Sequence, residues 1–157
     1  MKLAEALAER ADAVRRVDQL RARIVGSARY QEGEEPPEDA EALLAEAAEV
    51  LDRLESLIRR VNRTNAAVDL GDDGTLTDAL ARRDTLRLRH AVLTSAADAA
   101  SGRAQGGVYS RQLRSELKMF AALPVARLRE QADVVARETR ELDARIQRAN
   151  WEVDLLD

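Results

Sequence analysis

The sequence predicts an all-α protein, a four-helix antiparallel bundle built from two repeated helical hairpins. Three observations carry that expectation. The first is composition: hydrophobic residues make up 45% of the 157 positions, yet aromatics only 3%. Such an Ala-, Leu- and Val-rich core suits closely spaced helices, and Ala, Leu, Glu and Arg are strong helix formers. The second is periodicity. Four long stretches place apolar residues three and four apart, the spacing of one helix face. The third is internal repetition. The stretch Arg60-Val-Asn-Arg-Thr-Asn-Ala-Ala-Val-Asp-Leu70 aligns with Arg145-Ile-Gln-Arg-Ala-Asn-Trp-Glu-Val-Asp-Leu155, identical at six of eleven positions. Leu3-Ala-Glu-Ala-Leu-Ala-Glu-Arg10 aligns with Leu76-Thr-Asp-Ala-Leu-Ala-Arg-Arg83. Repetition over tens of residues fixes architecture better than a short motif fixes function.

The first helix is expected over about residues 2–25, with Leu3, Ala6, Ala13, Val17, Leu20 and Ile24 along its seam. Arg10 falls in that seam and is its anomaly. Residues 26–39 read as a loop from Gly-Ser, Glu-Gly-Glu-Glu and Pro36-Pro37. The second helix is expected to begin near Pro37 or Glu38, since Pro is tolerated in a first turn and acidic residues suit the positive end of the helix dipole. Leu43, Ala47, Val50, Leu54, Leu57 and Val61 form its stripe, which ends near Asn65. A turn follows over 69–74, and Thr75 with Asp78 reads as a capping box. The third helix spans about 76–100, with Arg83 and His90 in the seam. The 102–123 segment is irregular. A short β-pairing of 108–110 or 117–120 with 27–31, between the two intra-hairpin loops, is part of the expectation. The fourth helix starts near Pro124 and repeats the second at an offset of 85. The chain is read as a single domain, 1–157, with hairpins over about 2–70 and 75–155.

Several function classes are disfavoured. There is no Cys, which removes thiol catalysis and thiolate metal sites. One His cannot make a His-rich metal site, and no metal ligand set or cofactor is assigned. The net charge of −4 and scarce aromatics argue against nucleic acid. No apolar run approaches the roughly 20 residues of a membrane span or the length of a signal peptide. A soluble, cytoplasmic protein is expected. No nucleophile–base pair or Gly-rich phosphate loop is present, so the chain is read as a non-enzyme.

The residues able to carry chemistry are a duplicated polar set. Copy one has Glu5, Arg10 and Asn65; copy two has Asp78, Arg83 and Asn150; His90 lies one heptad after Arg83. Glu5 and Arg10 are five apart, about 140° around a helix, as are Asp78 and Arg83, so neither pair is a simple surface bridge. A buried arginine needs a carboxylate and further acceptors, because its desolvation costs several kcal/mol. The set therefore reads first as a register-fixing network, and in second place as a site for a small anionic ligand or a divalent cation. Arg59, Arg60 and Arg63, with Arg145 and Arg148, cluster near two helix C-termini, where the dipole favours cations. They also fit a phosphate. Residues 69–78 resemble a calcium loop only faintly, since Gly71 and Leu80 stand where two ligands are required.

Gln31-Glu-Gly-Glu-Glu-Pro36, Asn62-Arg-Thr-Asn-Ala66, Leu76-Thr-Asp-Ala-Leu80 and Ile146-Gln-Arg-Ala-Asn-Trp151 resemble the small bacterial proteins labelled septicolysin-like. The resemblance runs nearly the length of the chain in order. It implies no catalytic residues. The family's label implies a thiol-activated cytolysin, an activity that calls for a cysteine. The expected function is a helical-bundle interaction protein that assembles with itself as a homo-oligomer. Tyr30, Tyr109, Met119, Phe120 and Trp151 are its interface candidates, because aromatic residues and Met are enriched at interfaces. A ligand- or metal-binding bundle is the alternative, and a membrane-active protein the third.

Overall fold

The computed structural model describes residues 1–103 and 117–157. The fold is all-α and of the four-helix bundle class. Its long helices are α1 (Leu3–Ser27), α2 (Ala40–Ala67), α3 (Leu76–Ala100) and α4 (Val125–Glu152), with one 3-10 turn at Gly71–Asp73. Helices α1 and α3 are each 25 residues long, and α2 and α4 each 28. Among the described residues there is no strand. The expected loop pairing is absent where it can be seen, at residues 28–31 and 117–120, and the 108–110 part lies outside the described residues.

The chain divides into two compact units, one of residues 1–69 and 148–157 and one of residues 70–147. The boundary falls inside α4, so the last turn of α4 and the tail after it belong with the first hairpin. Likewise the 70–75 turn that follows α2 belongs with the second. Each unit is a hairpin carrying the segment that trails the other.

In the first unit α1 packs along α2. Glu9 pairs with Arg53 at 2.7 Å, Arg16 with Glu46, and Arg23 with Glu38 through Nε at 2.9 Å. Residue numbers rise on one helix as they fall on the other, so the pair is antiparallel. In the second unit Arg87 meets Asp143 at 3.1 Å and Asp98 meets Arg129 at 2.6 Å, the same antiparallel order. Exposed ion pairs contribute about 0–1 kcal/mol each, so they set register more than stability. Stability comes from the apolar stripes. Leu3, Ala6, Leu20, Leu43, Leu57 and Val61 are buried in the first unit, and Leu76, Ala79, Leu86, Leu142 and Ile146 in the second. Each buried Leu contributes about 1.5–3 kcal/mol.

The helix starts follow local chemistry. Helix α2 begins at Ala40, two to three residues later than the prolines suggest. Asp39 decides this, because its Oδ1 accepts the Glu41 and Ala42 N–H groups at 3.0 and 3.1 Å. Thr75 caps α3 as expected: its Oγ1 accepts the Asp78 N–H at 3.2 Å, and Asp78 Oδ2 accepts the Thr75 N–H at 2.8 Å. Gly74 has φ +74, and a Cβ there would stand 2.8 Å from Asp78 Oδ2, so the capping box requires a glycine.

Candidate functional site

The polar residues of the first unit gather where the start of α1, the end of α2 and the tail meet. Lys2 and Asp154 form an antiparallel bridge. The Leu3 N–H donates to Val153 O at 3.0 Å and the Leu155 N–H to Met1 O at 2.9 Å. Lys2 Nζ reaches Glu152 O at 3.0 Å and Asp154 Oδ1 at 2.9 Å. Thr64, fully buried on α2, completes the seat. Its Oγ1 donates to Arg60 O at 2.8 Å and accepts the Leu156 N–H at 3.0 Å. Arg60 Nε donates to Leu156 O at 3.0 Å, its Nη2 meets Asp157 Oδ1 at 2.9 Å, and Arg63 donates to the Asp157 carbonyl. Asp52, Glu55, Ser56 and Arg59 complete the rim of an open hollow of about 550 Å³ beside them.

The second unit builds a counterpart from different groups. The side chain of Asp73 is only 6% exposed, and two arginines converge on it. Arg82 Nη1 lies 2.7 Å from Oδ1 and Arg145 Nε 2.6 Å from Oδ2. Arg60 and Arg145 are aligned positions of the repeat, and each clasps an acidic segment that follows the other hairpin's last helix. Of the arginines that the sequence clusters near two helix C-termini, Arg60 and Arg63 meet the tail and Arg145 meets Asp73, while Arg59 pairs with Glu55 on its own helix.

The duplicated polar set is dispersed. Glu5 accepts the Lys2 N–H at 2.7 Å and Asp78 accepts from Thr75, so both carboxylates serve as helix caps. Neither carboxylate meets the arginine or the asparagine of its set among the described residues. Arg10 is exposed and without an ion pair among the described residues. Arg83 is partly buried and pairs with Asp84 at 2.9 Å and Asp143 at 3.9 Å. The two arginines lie roughly 30–50° from the centre of the buried stripe on the 3.6-residue period, which lets the guanidinium reach solvent. Arg10 thus departs from the expectation of a buried seam arginine, while Arg83 stays partly buried beside two carboxylates. Asn65 is half-buried and Asn150 buried. His90 is half-buried in a shallow depression with Arg87, Ala136 and Thr139.

Hydrogen bonds explain the shifted acids. The Thr75 hydroxyl and N–H hold the Asp78 carboxyl below the usual aspartate range, and Lys2 does the same for Asp154. Arg23 lowers Glu38, which in turn raises the guanidinium. No group of three or more His, Asp or Glu side chains placed to hold a metal occurs among the described residues. Asp73 and Asp78 of the faint calcium loop are occupied by arginines and by a cap. Sequence reasoning passed over Thr64 and gave Asp73 no role beyond the faint calcium loop. Thr64 was detectable as a polar residue three beyond Val61 on the same stripe. Nothing local in the acidic turn signalled that Asp73 meets two arginines.

Of the expected interface residues, Tyr30, Met119, Phe120 and Trp151 are exposed, and Tyr109 lies outside the described residues. No helix among the described residues is long and apolar enough to cross a membrane.

The fold and these clasps define a class of all-α proteins made of two hairpins with exchanged trailing segments. The chain belongs to the family of unknown function DUF6847, whose model matches residues 10–155. It is similar to a functionally unknown conserved protein from Corynebacterium diphtheriae, known from a crystal structure. The two are 38% identical with a TM-score of 0.88, and the match covers 99% of each chain. No curated protein matches the chain.

Proposed function

We propose that this is a cytoplasmic, self-assembling helical interaction protein that catalyses no reaction. The observation that supports the reading is the exposure of large apolar side chains in a chain that has few of them. Leu117, Met119 and Phe120 stand 69%, 71% and 84% exposed within four residues, and Tyr30 and Trp151 are exposed as well. Large apolar side chains left exposed close together in sequence are candidates for interaction sites. The duplicated polar set favours this reading over ligand binding, because its two carboxylates are spent on helix caps. Sedimentation velocity and native mass spectrometry test it. A defined multimer without additional mass is the expected result. A monomer carrying a stoichiometric small molecule or metal ion overturns it. The septicolysin-like resemblance supplies a lytic reading of a different class, and leakage from dye-loaded vesicles is its test.

A further inference from the structure

Helix α3 is apolar on two sides. One stripe, Leu76, Ala79, Leu86 and Ala97, is buried. A second stripe of Ala81, Thr85, Leu88, Val92, Ser95 and Ala99 lies roughly 170° around the helix on the 3.6-residue period. All six are exposed, and Leu88 and Val92 stand 69% and 67% exposed. No charged residue interrupts this face from Ala81 to Ala99, and Asp78, one heptad before Thr85, is the helix cap. The aligned face of α1 reads Ala8, Asp12, Arg15, Gln19, Ala22 and Gly26, and there Arg15 pairs with Asp12 as an ordinary solvated surface does. The exposed face of α2 does carry Leu44 and Leu51, but Glu41, Asp52, Glu55 and Arg59 stand among them.

The spacing of the α3 stripe alternates four and three, the repeat of a two-helix coiled-coil seam. Thr85, Val92 and Ala99 take one seam position and Ala81, Leu88 and Ser95 the other. The flanks are charged with opposite signs. Asp84 and Asp98 border one side, and Arg82 and Arg89 the other. An antiparallel pairing of two such helices brings like flanks together. A parallel pairing sets Asp84 of one copy against Arg89 of the other, twice by symmetry, which is the flank contact that chooses partner and orientation in coiled coils. Both hydrogen bonds from Arg83 to Asp84 go to Oδ1, which leaves Oδ2 for a second cation. Arg89 has no ion pair among the described residues.

We infer that the outer face of α3 is the seat of a second copy of this chain, packed parallel about a two-fold axis. The inference rests on the self-assembly reading and names its interface. A parallel seam places each residue opposite itself. Because the chain has no cysteine, a single introduced thiol reports that geometry without interference. The full-length Ser95→Cys protein, oxidised gently, is expected to form a disulfide-linked dimer. Ala22→Cys, the aligned position on α1, is expected to remain uncrosslinked. Asp84→Arg is expected to weaken association by about fivefold, and the exchange Asp84→Arg with Arg89→Asp to restore it. A wild type that stays multimeric while Ser95→Cys fails to crosslink overturns the α3 interface and leaves self-assembly standing. A wild type that is monomeric at high concentration overturns both.

Discussion

The two clasps face the same problem with different chemistry. In the first unit a trailing segment is seated on a buried hydroxyl, backbone hydrogen bonds and the exposed Asp157. In the second, the counterpart is a nearly buried carboxylate between two arginines. The sequences leading into them, Val68-Asp-Leu70 and Val153-Asp-Leu155, are identical. The difference shows that aligned residues need not inherit aligned roles. Thr64 corresponds to Ala149, and only the threonine can accept the Leu156 N–H. A buried hydroxyl with both partners made is nearly neutral in net terms, but deleting it strands a donor. A buried carboxylate is more costly to strand, because its charge has lost its water.

The largest effect that sharpens this comparison lies beneath both clasps. Leu3→Ala and Leu76→Ala remove aligned, fully buried side chains, and each is expected to cost about 2–5 kcal/mol in urea unfolding. A single transition shifted by either variant means that the two units unfold together. Two separable transitions, with each variant shifting only its own, mean that they unfold apart.

Next comes the charged clasp. Replacing both Arg82 and Arg145 with Met leaves Asp73 nearly buried without a cation. The expected loss is about 2–3 kcal/mol, discounted from the fully buried case because both arginines are half-exposed. Asp157→Asn in the other unit is expected to leave the urea midpoint unchanged, since its carboxylate is solvated. Equal losses at the two clasps would break the contrast.

The hydroxyl clasp predicts a smaller change. Thr64→Val keeps the shape and removes the acceptor of the Leu156 N–H, for about 1–2 kcal/mol. Thr139→Val is the control, because its hydroxyl only returns to Val135 O on its own helix. Faster amide exchange at Leu156 in Thr64→Val, with Thr139→Val unchanged, is the diagnostic pattern.

The smallest effect concerns pH. Asp78 and Asp154 titrate below the ordinary aspartate value when folded. Their stabilisation is present above that unfolded value, near 3.8, and is lost as pH falls through their lower folded values. The midpoint difference between wild type and Asp78→Asn is therefore expected to be constant near neutrality and to shrink below about pH 4. A difference that grows in acid would reverse the assignment of the cap.

The four helices are legible in local pattern. Periodic Leu, Ala and Val positions placed all four helices within a few residues of their observed ends, because one apolar stripe per helix is a local pattern. The Thr75–Asp78 box was legible for the same reason, its partners being three residues apart. Which polar residues matter depends on contacts between segments far apart in the chain. Arg10 and Arg83 sit at seam positions by count, but long side chains near the edge of a stripe reach water, and nothing local reveals that. Thr64 meets Leu156 and Arg145 meets Asp73 across long stretches of chain. Those contacts exist because each unit holds the segment trailing the other hairpin, and that arrangement is fixed by packing over the whole chain.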